Sequence, residues 1–307
     1  MTGLSSIAMS PSGTPVAAGM TLPTATVVVP TFNRPERLAA CLRALANLDY
    51  PAKRLSIEIV DDGSPQDLGA VVAAASMPFA LRLTRQRNQG PAVARNAGAR
   101  IATGDLLAFT DDDCLPDQRW LIGLAHAFER SPGALIGGLV QNGVDRICSE
   151  ASQDLVDFLY QYFNAENGGV PFFTSNNLAC SRELFLATGG FDETFPIAAA
   201  EDRELGMRWR RQGRDLIFAD DALVLHQHDL DLPKFWRQHR NYGFGAHHLH
   251  TALHKGGFEK PRFERLNFYL ELLAYPVRTY GVRGLPKSVL MLVSQIAMAR
   301  GFYLREV

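Results

Sequence analysis

The sequence is poor in the residues that build disulfide frameworks and structural zinc sites. Its cysteines, Cys41, Cys114, Cys148 and Cys180, lie far apart, without a C-x-x-C pair and without a histidine at zinc-finger spacing. A chain of 307 residues is also long enough to build its core without disulfides. We therefore expect reduced cytoplasmic thiols, and neither a structural zinc site nor a disulfide framework.

Long uninterrupted apolar runs are also missing. Two apolar stretches near the C-terminus, LNFYLELLAYPV and SVLMLVSQIAMA, are interrupted well before the roughly 20 residues that a membrane span requires. The first 20 residues have no basic start and no continuous apolar centre, which argues against a signal peptide. Their serine, glycine, proline and alanine predict a disordered tail over residues 1–22.

Net charge is nearly absent, at −1, so the chain as a whole is not expected to bind nucleic acid. The charge is unevenly spread, however. From residue 231 onward Lys and Arg outnumber Asp and Glu by 12 to 5, a net of +7, whereas residues 1–230 carry 19 against 27, a net of −8. The basic segment indicates either an anionic partner or an ordinary solvated helical surface, and both interpretations stay open.

Strand and helix patterns alternate through the first half of the chain. Strand patterns occur at Ala25–Pro30, Leu55–Val60, Phe79–Thr84 and Leu106–Thr110, and the first is a continuous apolar run, typical of a strand buried on both faces of a parallel sheet. Amphipathic stretches that predict helices lie between them, at Pro35–Leu48, 67–75 and from Gly90 to Gly104. This rhythm predicts a doubly wound, mostly parallel α/β sheet over residues 23–230. Residues 231–307 predict a helical extension.

Carboxylates follow two of these strands. Asp61 and Asp62 end the second strand, and Asp111–Asp113 end the fourth, at the edge of a parallel sheet where ligands bind. Alternate side chains of an extended strand point the same way, which predicts that Asp111 and Asp113 share a face. Such a pair suits Mg²⁺ or Mn²⁺ with substrate phosphates. The plainer alternative is a solvated turn that caps the next helix.

Two further groups are candidates for chemistry. Glu201 and Asp202 begin a predicted helix, where carboxylates also serve simply to cap the helix dipole. His226 and His228 end the strand ALVLHQH, where a histidine is either structural or a metal ligand.

Taken in order, these motifs carry a resemblance. From about Thr24 to Gly245 the chain resembles the family-2 glycosyltransferases of the GT-A fold, through VVVPTFNR, IEIVDDGS, NQGPAVARNAGARIATGD, LLAFTDDDC, SNNLACSRELFLATGGFDE and AEDRELGMRWRRQG. The resemblance implies a GT-A-type mixed, mostly parallel sheet with a helical C-terminal extension. It also implies an inverting transferase that moves one sugar from a nucleoside-diphosphate sugar to an acceptor hydroxyl.

The resemblance also implies roles for individual residues. It places Asp202 as the general base, and Asp111, Asp113 and His226, in preference to His228, at a site for Mg²⁺ or Mn²⁺. The residues implied to bind the nucleotide-sugar are Pro30, Thr31, Asn33, Arg34, Asp62, Arg95 and Asp111.

The implied partners are a nucleotide-sugar, with uridine as the expected base, and a glycan or lipid-linked saccharide acceptor. The processive Q-x-x-R-W signature is absent as such, and FWRQHRNYG occupies its approximate position, so we expect transfer of a single sugar in cell-surface polysaccharide or glycolipid synthesis. The expected location is cytoplasmic, with peripheral contact at the inner face of the membrane. The basic residues expected to touch anionic lipid are Arg262, Arg265, Arg278, Arg283 and Lys287.

Three other functions compete with this one. A haloacid-dehalogenase-like phosphatase also places D-x-D after a strand, but usually after the earliest strand of the chain. A nucleotidyltransferase would need a glycine-rich phosphate loop near the first strand. A catalytically inactive relative that binds sugar nucleotides is disfavoured by the retained Asp62, Asp111, Asp113 and Asp202.

Overall fold

The computed structural model describes residues 22–167, 172–195, 197–255 and 264–304. Residues 1–21 of the predicted tail, and Arg262 of the predicted basic surface, lie outside the described residues.

One mixed eight-stranded sheet organises the molecule, in the order β3-β2-β1-β4-β7-β6-β8-β5. The strands are β1 Ala25–Thr31, β2 Leu55–Asp61, β3 Ala80–Arg85, β4 Leu106–Thr110, β5 Cys114–Pro116, β6 Leu135–Asn142, β7 Asn177–Ser181 and β8 Leu216–His226. The first four strands run parallel, β7 pairs antiparallel with β4 and β6, β6 pairs parallel with β8, and β5 pairs antiparallel with β8. The expectation of a mixed, mostly parallel GT-A-type sheet is confirmed.

The helices cover both faces of the sheet and then continue beyond it. They are α1 Pro35–Ala46, α2 Gly69–Ala73, α3 Pro91–Ile101, α4 Trp120–Arg130, α5 Ile147–Asn167, α6 Arg182–Ala187, α7 Glu201–Arg211, α8 Leu232–Lys255, α9 Leu266–Tyr280 and α10 Leu285–Leu304. The predicted strands and helices of the first half are present, with ends that differ by a few residues.

The apolar run of β1 is continuous because both faces of the sheet are covered. Val27 and Val29 belong to the core that packs against α1 and α4, whereas Val28 belongs to the core on the other face, with Phe109 and Trp209. Successive side chains of a strand point to opposite faces, so a strand between two layers must be apolar at every position. This arrangement fixes the carboxyl ends of β1, β2 and β4 at one edge of the sheet.

The C-terminal helices pack against α5. One small core joins Leu155 and Phe158 of α5 to Phe268 and Leu272 of α9 and to Met291 of α10. Within the described ranges, every helix is too short or too polar to cross a bilayer.

Lys287 does not belong to the exposed basic surface that the sequence predicts. It is buried, and its Nζ lies 2.7 Å from Glu150 Oε2 and 3.5 Å from Asp154 Oδ2 of α5. The lysine therefore ties α10 to α5, whereas Arg265, Arg278 and Arg283 are exposed. Its inclusion in a lipid-facing surface was wrong because its carboxylate partners lie more than 130 positions away in the chain.

Candidate active site

A cleft of about 700 Å³ opens at the edge of the sheet where β1, β2 and β4 end. It lies where β1 separates β2 from β4, the position at which open α/β sheets bind ligands. Pro30 and Thr31 end β1 in its wall, Arg34 follows β1 there, and Asp62 follows β2. The ends of three buried strands therefore place polar residues around one cavity.

The three consecutive aspartates form a turn rather than a strand end. Strand β4 stops at Thr110, and the backbone N–H of Cys114 donates to the carbonyl of Asp111 across 3.1 Å. All three aspartates line the cleft. The sequence predicts that Asp111 and Asp113 share a face by strand alternation, but this alternation does not continue through the turn, and Asp112 lies in the cleft wall with them. The side chain of Asp112 is buried and accepts from Thr31 Oγ1 at 2.8 Å and from Arg34 Nη1 at 3.0 Å.

Arginines from two helices neutralise this turn. Arg95 of α3 donates to Asp111 Oδ1 at 2.7 Å and to Glu201 Oε1 at 3.0 Å. Arg37 of α1 donates to Asp113 Oδ2 at 2.8 Å. No basic partner of these aspartates is visible in the sequence, because the arginines lie 16 and 76 positions away from them. Burial of Arg95 opposes its charge, but the two carboxylates outweigh this effect and raise its pKa.

Strand pairing brings His226 to Asp113. His226 is the last residue of β8 and lies opposite Cys114 of β5, so its Nε2 lies 3.4 Å from Asp113 Oδ1. Burial alone would raise the pKa of Asp113, but the interaction with His226 and the charge of Arg34 lower it below the usual range. His228 stacks near His226, with ring centroids 4.7 Å apart. Burial and the neighbouring His226 lower the pKa of His228 to about 4.

These donors fit a divalent cation. Among the described residues, Asp113, Cys114 and His226 offer ligand atoms within 4.8 Å of one another. Burial raises the pKa of the Cys114 thiol well above its usual value, so in the absence of a metal ion it is a weaker candidate ligand than the carboxylate and the imidazole. Carboxylate oxygens suit Mg²⁺ and Mn²⁺, and imidazole nitrogen is a common ligand of divalent transition metals. Asp111 is not a member of this group, but its side chain is the most exposed of the three aspartates and lines the cleft.

Asp62 is held by the loop that precedes α3. Its carboxylate accepts from Gln86 Nε2 at 2.8 Å, from the Gln89 N–H at 3.0 Å and from the Gly90 N–H at 2.8 Å. Gly90 has φ of 92°, a conformation that favours glycine. The D-D-G-S turn and the N-Q-G loop therefore form one rigid wall of the cleft.

Asn33 lies at the margin of this wall. It is exposed, lies outside the cleft lining, and has φ of 54°. Its backbone N–H donates to Ser64 Oγ at 2.8 Å. Asparagine tolerates left-handed backbone better than most residues, so Asn33 turns the chain from β1 into α1 and thereby places Arg34.

Asp202 lines a second chamber, of about 220 Å³, that adjoins the cleft. Arg95, Asp111 and His226 line both cavities. Asp202 Oδ1 accepts from the backbone N–H of Arg203 at 2.8 Å, and Oδ2 accepts from that of Ser175 at 3.3 Å. Burial raises the pKa of Asp202, as it does for the neighbouring Glu201, which is already paired with Arg95.

The sequence analysis missed the part of the cleft that α8 supplies. Residues about one turn apart on α8 line the cleft: Lys234, Arg237, Gln238, Asn241 and Tyr242. The signal was present in FWRQHRNYG, whose polar residues recur at helical spacing. The sequence did not assign these residues to the site, because helical spacing shows that they share one face of a helix but not what that face contacts.

Comparisons with solved structures define the class of protein. The mannosyltransferase PcManGT from Pyrobaculum calidifontis, solved with GDP-mannose and Mn²⁺, superposes with a TM-score of 0.58 at 21% identity, covering 90% of this chain and 76% of that one. The S. aureus protein TarS, residues 1–349, superposes with a TM-score of 0.56 at 16% identity, covering 92% and 82%. The fold is thus the GT-A fold of glycosyltransferases.

Sequence comparisons then define the family. The profile described as Glycosyl transferase family 2 matches residues 26–188, more than half of the chain. Glycosyltransferase AglE of Haloferax volcanii is 32% identical over 221 residues, 67% of each protein. The hyaluronan synthase of Pasteurella multocida is 27% identical over 66% of this chain, which spans only 24% of that protein. The chain belongs to glycosyltransferase family 2.

Proposed function

We propose that this enzyme transfers one sugar from a nucleoside-diphosphate sugar to an acceptor hydroxyl, with inversion at the anomeric carbon. One observation carries the proposal. The cleft that holds the acidic turn and the chamber that holds Asp202 share a wall, formed in part by Arg95, Asp111 and His226. A donor in the cleft and an acceptor in the chamber would therefore meet beside a buried carboxylate.

The donor's diphosphate would lie over the acidic turn. Asp111, Asp113 and His226 would hold Mg²⁺ or Mn²⁺ there, as Mn²⁺ accompanies GDP-mannose in the structure of PcManGT. When bound, the cation neutralises the charge that develops on the departing diphosphate. Lys234 and Arg237 line the same cleft and would bind the phosphates directly.

The nucleoside would lie against the wall formed by the ends of β1 and β2. Pro30, Thr31 and Arg34 line the cleft there, with Asn33 at its margin, and Asp62 would accept from the base. Arg95 would hold Asp111 toward the donor. We propose a uridine diphosphate sugar as donor.

Asp202 would remove the proton from the attacking hydroxyl. Its carboxylate is held in place by two backbone N–H groups, and it lines the chamber. Burial raises its pKa toward the range in which a carboxylate is an effective base near neutral pH.

The acceptor would be a glycan or a lipid-linked saccharide, in the synthesis of a cell-surface polysaccharide or glycolipid. The relatives support this setting, since they include the hyaluronan synthase of Pasteurella multocida and the chondroitin synthase of Escherichia coli. The chain spans 24% and 34% of those two proteins, so only a part of each is compared. We propose that the enzyme works at the inner face of the membrane as a peripheral protein.

The test is a donor screen. The purified chain is incubated with UDP- and GDP-sugars, Mn²⁺ and hydroxyl acceptors such as methyl hexopyranosides, nucleoside diphosphate release is measured, and the anomeric configuration of any glycoside formed is read by NMR. Release above a no-enzyme control, with a product of inverted configuration, is the expected result. Tight donor binding without release under any condition would instead indicate a non-catalytic sugar-nucleotide binder. A retained anomeric configuration would contradict the role of Asp202.

A further inference from the structure

The chamber beside the cleft has a wall that the proposed chemistry does not use. It lies between α5, the start of α7 and α8, and the loop 172–176 before β7 forms one side of it. That loop ends in the motif S-N-N, whose two asparagines, Asn176 and Asn177, are both buried.

The two asparagines have different environments. The Asn177 amide accepts from Trp120 Nε1 at 2.8 Å and donates to the carbonyls of Leu139 and Ala222, each at 2.9 Å. These bonds join β7 to β6, β8 and α4, so Asn177 is structural. Asn176 lines the chamber, and its Oδ1 is buried without a hydrogen-bond partner among the described residues.

A second amide oxygen in the chamber lacks a partner. Gln238 Nε2 donates to Ser152 Oγ at 3.2 Å and to Tyr242 Oη, whereas no described residue donates to Gln238 Oε1. A buried acceptor without a donor is costly, and proteins rarely tolerate one except where a ligand or ion completes it. Amide oxygens accept hydrogen bonds from hydroxyl groups, so these two oxygens indicate a ligand that carries several O–H donors.

The remaining lining suits a ring. Phe172, Val156 and Leu159 contribute apolar surface, and Arg203 lies over the Phe172 ring with its guanidinium carbon 4.7 Å from the centroid. The volume of about 220 Å³ is smaller than the roughly 300–1,000 Å³ of sites for extended ligands. A chamber with apolar walls and polar groups at its margin matches a hydroxylated six-membered ring, which presents C–H groups on its faces and O–H groups around its edge.

We propose that Asn176, with Gln238, binds the ring that carries the attacking hydroxyl, and that the acceptor's reacting end is a hydroxylated ring such as a sugar or a cyclitol. A simple acyclic alcohol has a single O–H, which would face Asp202, and would leave both amide oxygens without donors. The inference rests on the proposed function, because Asp202 in the same chamber supplies the base.

The experiment measures binding separately from turnover. Saturation-transfer-difference NMR on the protein with UDP and Mn²⁺ is run against methyl hexopyranosides and myo-inositol, and against the simple acyclic alcohols 1-butanol and 1-hexanol. We expect a saturation-transfer signal, which reports binding, from at least one ring compound and from no acyclic alcohol. Asn176→Ala should weaken that binding about tenfold, as expected for the loss of one or two neutral hydrogen bonds. Gln238→Ala should weaken it similarly.

The controls keep the outcomes distinct. Asn47→Ala removes an amide that donates only to the Arg43 carbonyl on the exposed surface of α1, and should bind ring compounds like the wild type. Thermal melting checks that each variant is folded. Three results would overturn the inference: a saturation-transfer signal only for acyclic alcohols, no signal for any compound of the panel, or equal binding of ring compounds by Asn176→Ala and the wild type. If UDP itself does not bind with Mn²⁺, the proposed function fails instead, and calorimetry with UDP reports that separately.

Discussion

Each aspartate of the acidic turn has its own surroundings at the residue scale. Asp111 contacts a buried arginine, Asp113 contacts a histidine and two arginines, and Asp112 is buried against Thr31 and Arg34. Burial raises the pKa of Asp112 to about 6, although Arg34 and Thr31 oppose the change. Identical neighbouring residues thus have different tasks because their environments differ.

Replacing the candidate base should separate chemistry from donor binding. Asp202→Asn preserves shape and removes the proton acceptor, so we expect transfer to fall by roughly 10²-fold or more. Donor affinity, measured by calorimetry with UDP and Mn²⁺, should stay within about twofold of the wild type, since Asp202 lines the chamber rather than the cleft. Near-normal turnover of the variant would assign the role to another residue.

The same assignment sets the pH dependence. A base must be deprotonated, and burial raises the pKa of Asp202 above that of an ordinary aspartate. Activity should therefore fall as pH drops through this raised pKa and should be fully present at higher pH. A plot of kcat against pH checks this, and activity that persists undiminished down to the pKa of an ordinary aspartate would contradict it.

Metal removal should affect binding rather than folding. Because Arg34, Arg37 and Arg95 already neutralise the acidic turn, excess EDTA should leave the melting temperature unchanged. Nucleotide-sugar binding by the wild type should be lost in EDTA and return when Mn²⁺ is added. The Asp113→Ala variant should not regain this binding when Mn²⁺ is added. Full donor affinity in EDTA would refute the metal site, and loss of folding would show that the arginines do not suffice.

At the scale of elements, pairing between strands distant in the chain builds the site. Strand β5 has three residues, yet its pairing with β8 sets His226 beside Asp113. Helix α7 begins after Ala200, whose φ of 72° is unusual for a residue with a side chain. Strained backbone of this kind clusters at functional sites, and here it immediately precedes Glu201 and Asp202.

The link between β7 and its neighbours can be tested through Asn177. Asn177→Ala removes three buried hydrogen bonds and leaves Trp120 Nε1 and the carbonyls of Leu139 and Ala222 without partners. We expect the free energy of unfolding to fall by about 3 kcal/mol, measured by urea denaturation. Asn176→Ala, one position earlier, should change it by much less, so equal losses would contradict the difference between the two residues.

At the scale of the whole molecule, α10 presents an apolar face that the described residues leave exposed. Leu285, Val289, Leu292 and Ile296 follow one another at helical spacing and are each about half exposed. Arg278 and Arg283 are exposed near the start of this face. Apolar and basic residues side by side fit the surface of an anionic bilayer, which is the membrane contact that we propose.

Vesicle binding tests that contact. Co-sedimentation with phosphatidylglycerol-containing liposomes should be strong at low salt and weaker at high salt. The double change Arg278→Glu and Arg283→Glu should weaken it roughly tenfold or more, at about 1 kcal/mol for each charge lost. Lys287 is left unchanged because it is paired with Glu150.

Apolar substitutions provide the matched comparison. Val289→Gln with Leu292→Gln should reduce vesicle binding, whereas Leu186→Gln on α6, also an exposed leucine, should not. Absence of binding at low salt would refute the membrane contact. A dimer in solution that requires Val289 and Leu292, without vesicle binding, would assign the face to a second copy of the chain.

The sequence by itself determined the elements and the chemistry they carry. Apolar runs such as β1 and the carboxylates that follow β2 and β4 depend on local periodicity, which an amino-acid sequence states directly. Asp62, Asp113 and the two strand-end histidines, His226 and His228, were candidates on this basis, with the preference for His226 coming from the family resemblance, and all four line the cleft.

Only the tertiary structure decided which side chains neutralise, support or adjoin those residues. Arg37 lies 76 positions from Asp113, and Arg95 lies 106 positions from Glu201, so no local pattern could pair them. Asn176 and Asn177 are adjacent and identical in type, yet the packing of Trp120 occupies only Asn177 and leaves Asn176 to the chamber. Such contacts depend on how distant elements pack, because a buried polar group takes its partner from whatever lies next to it in space.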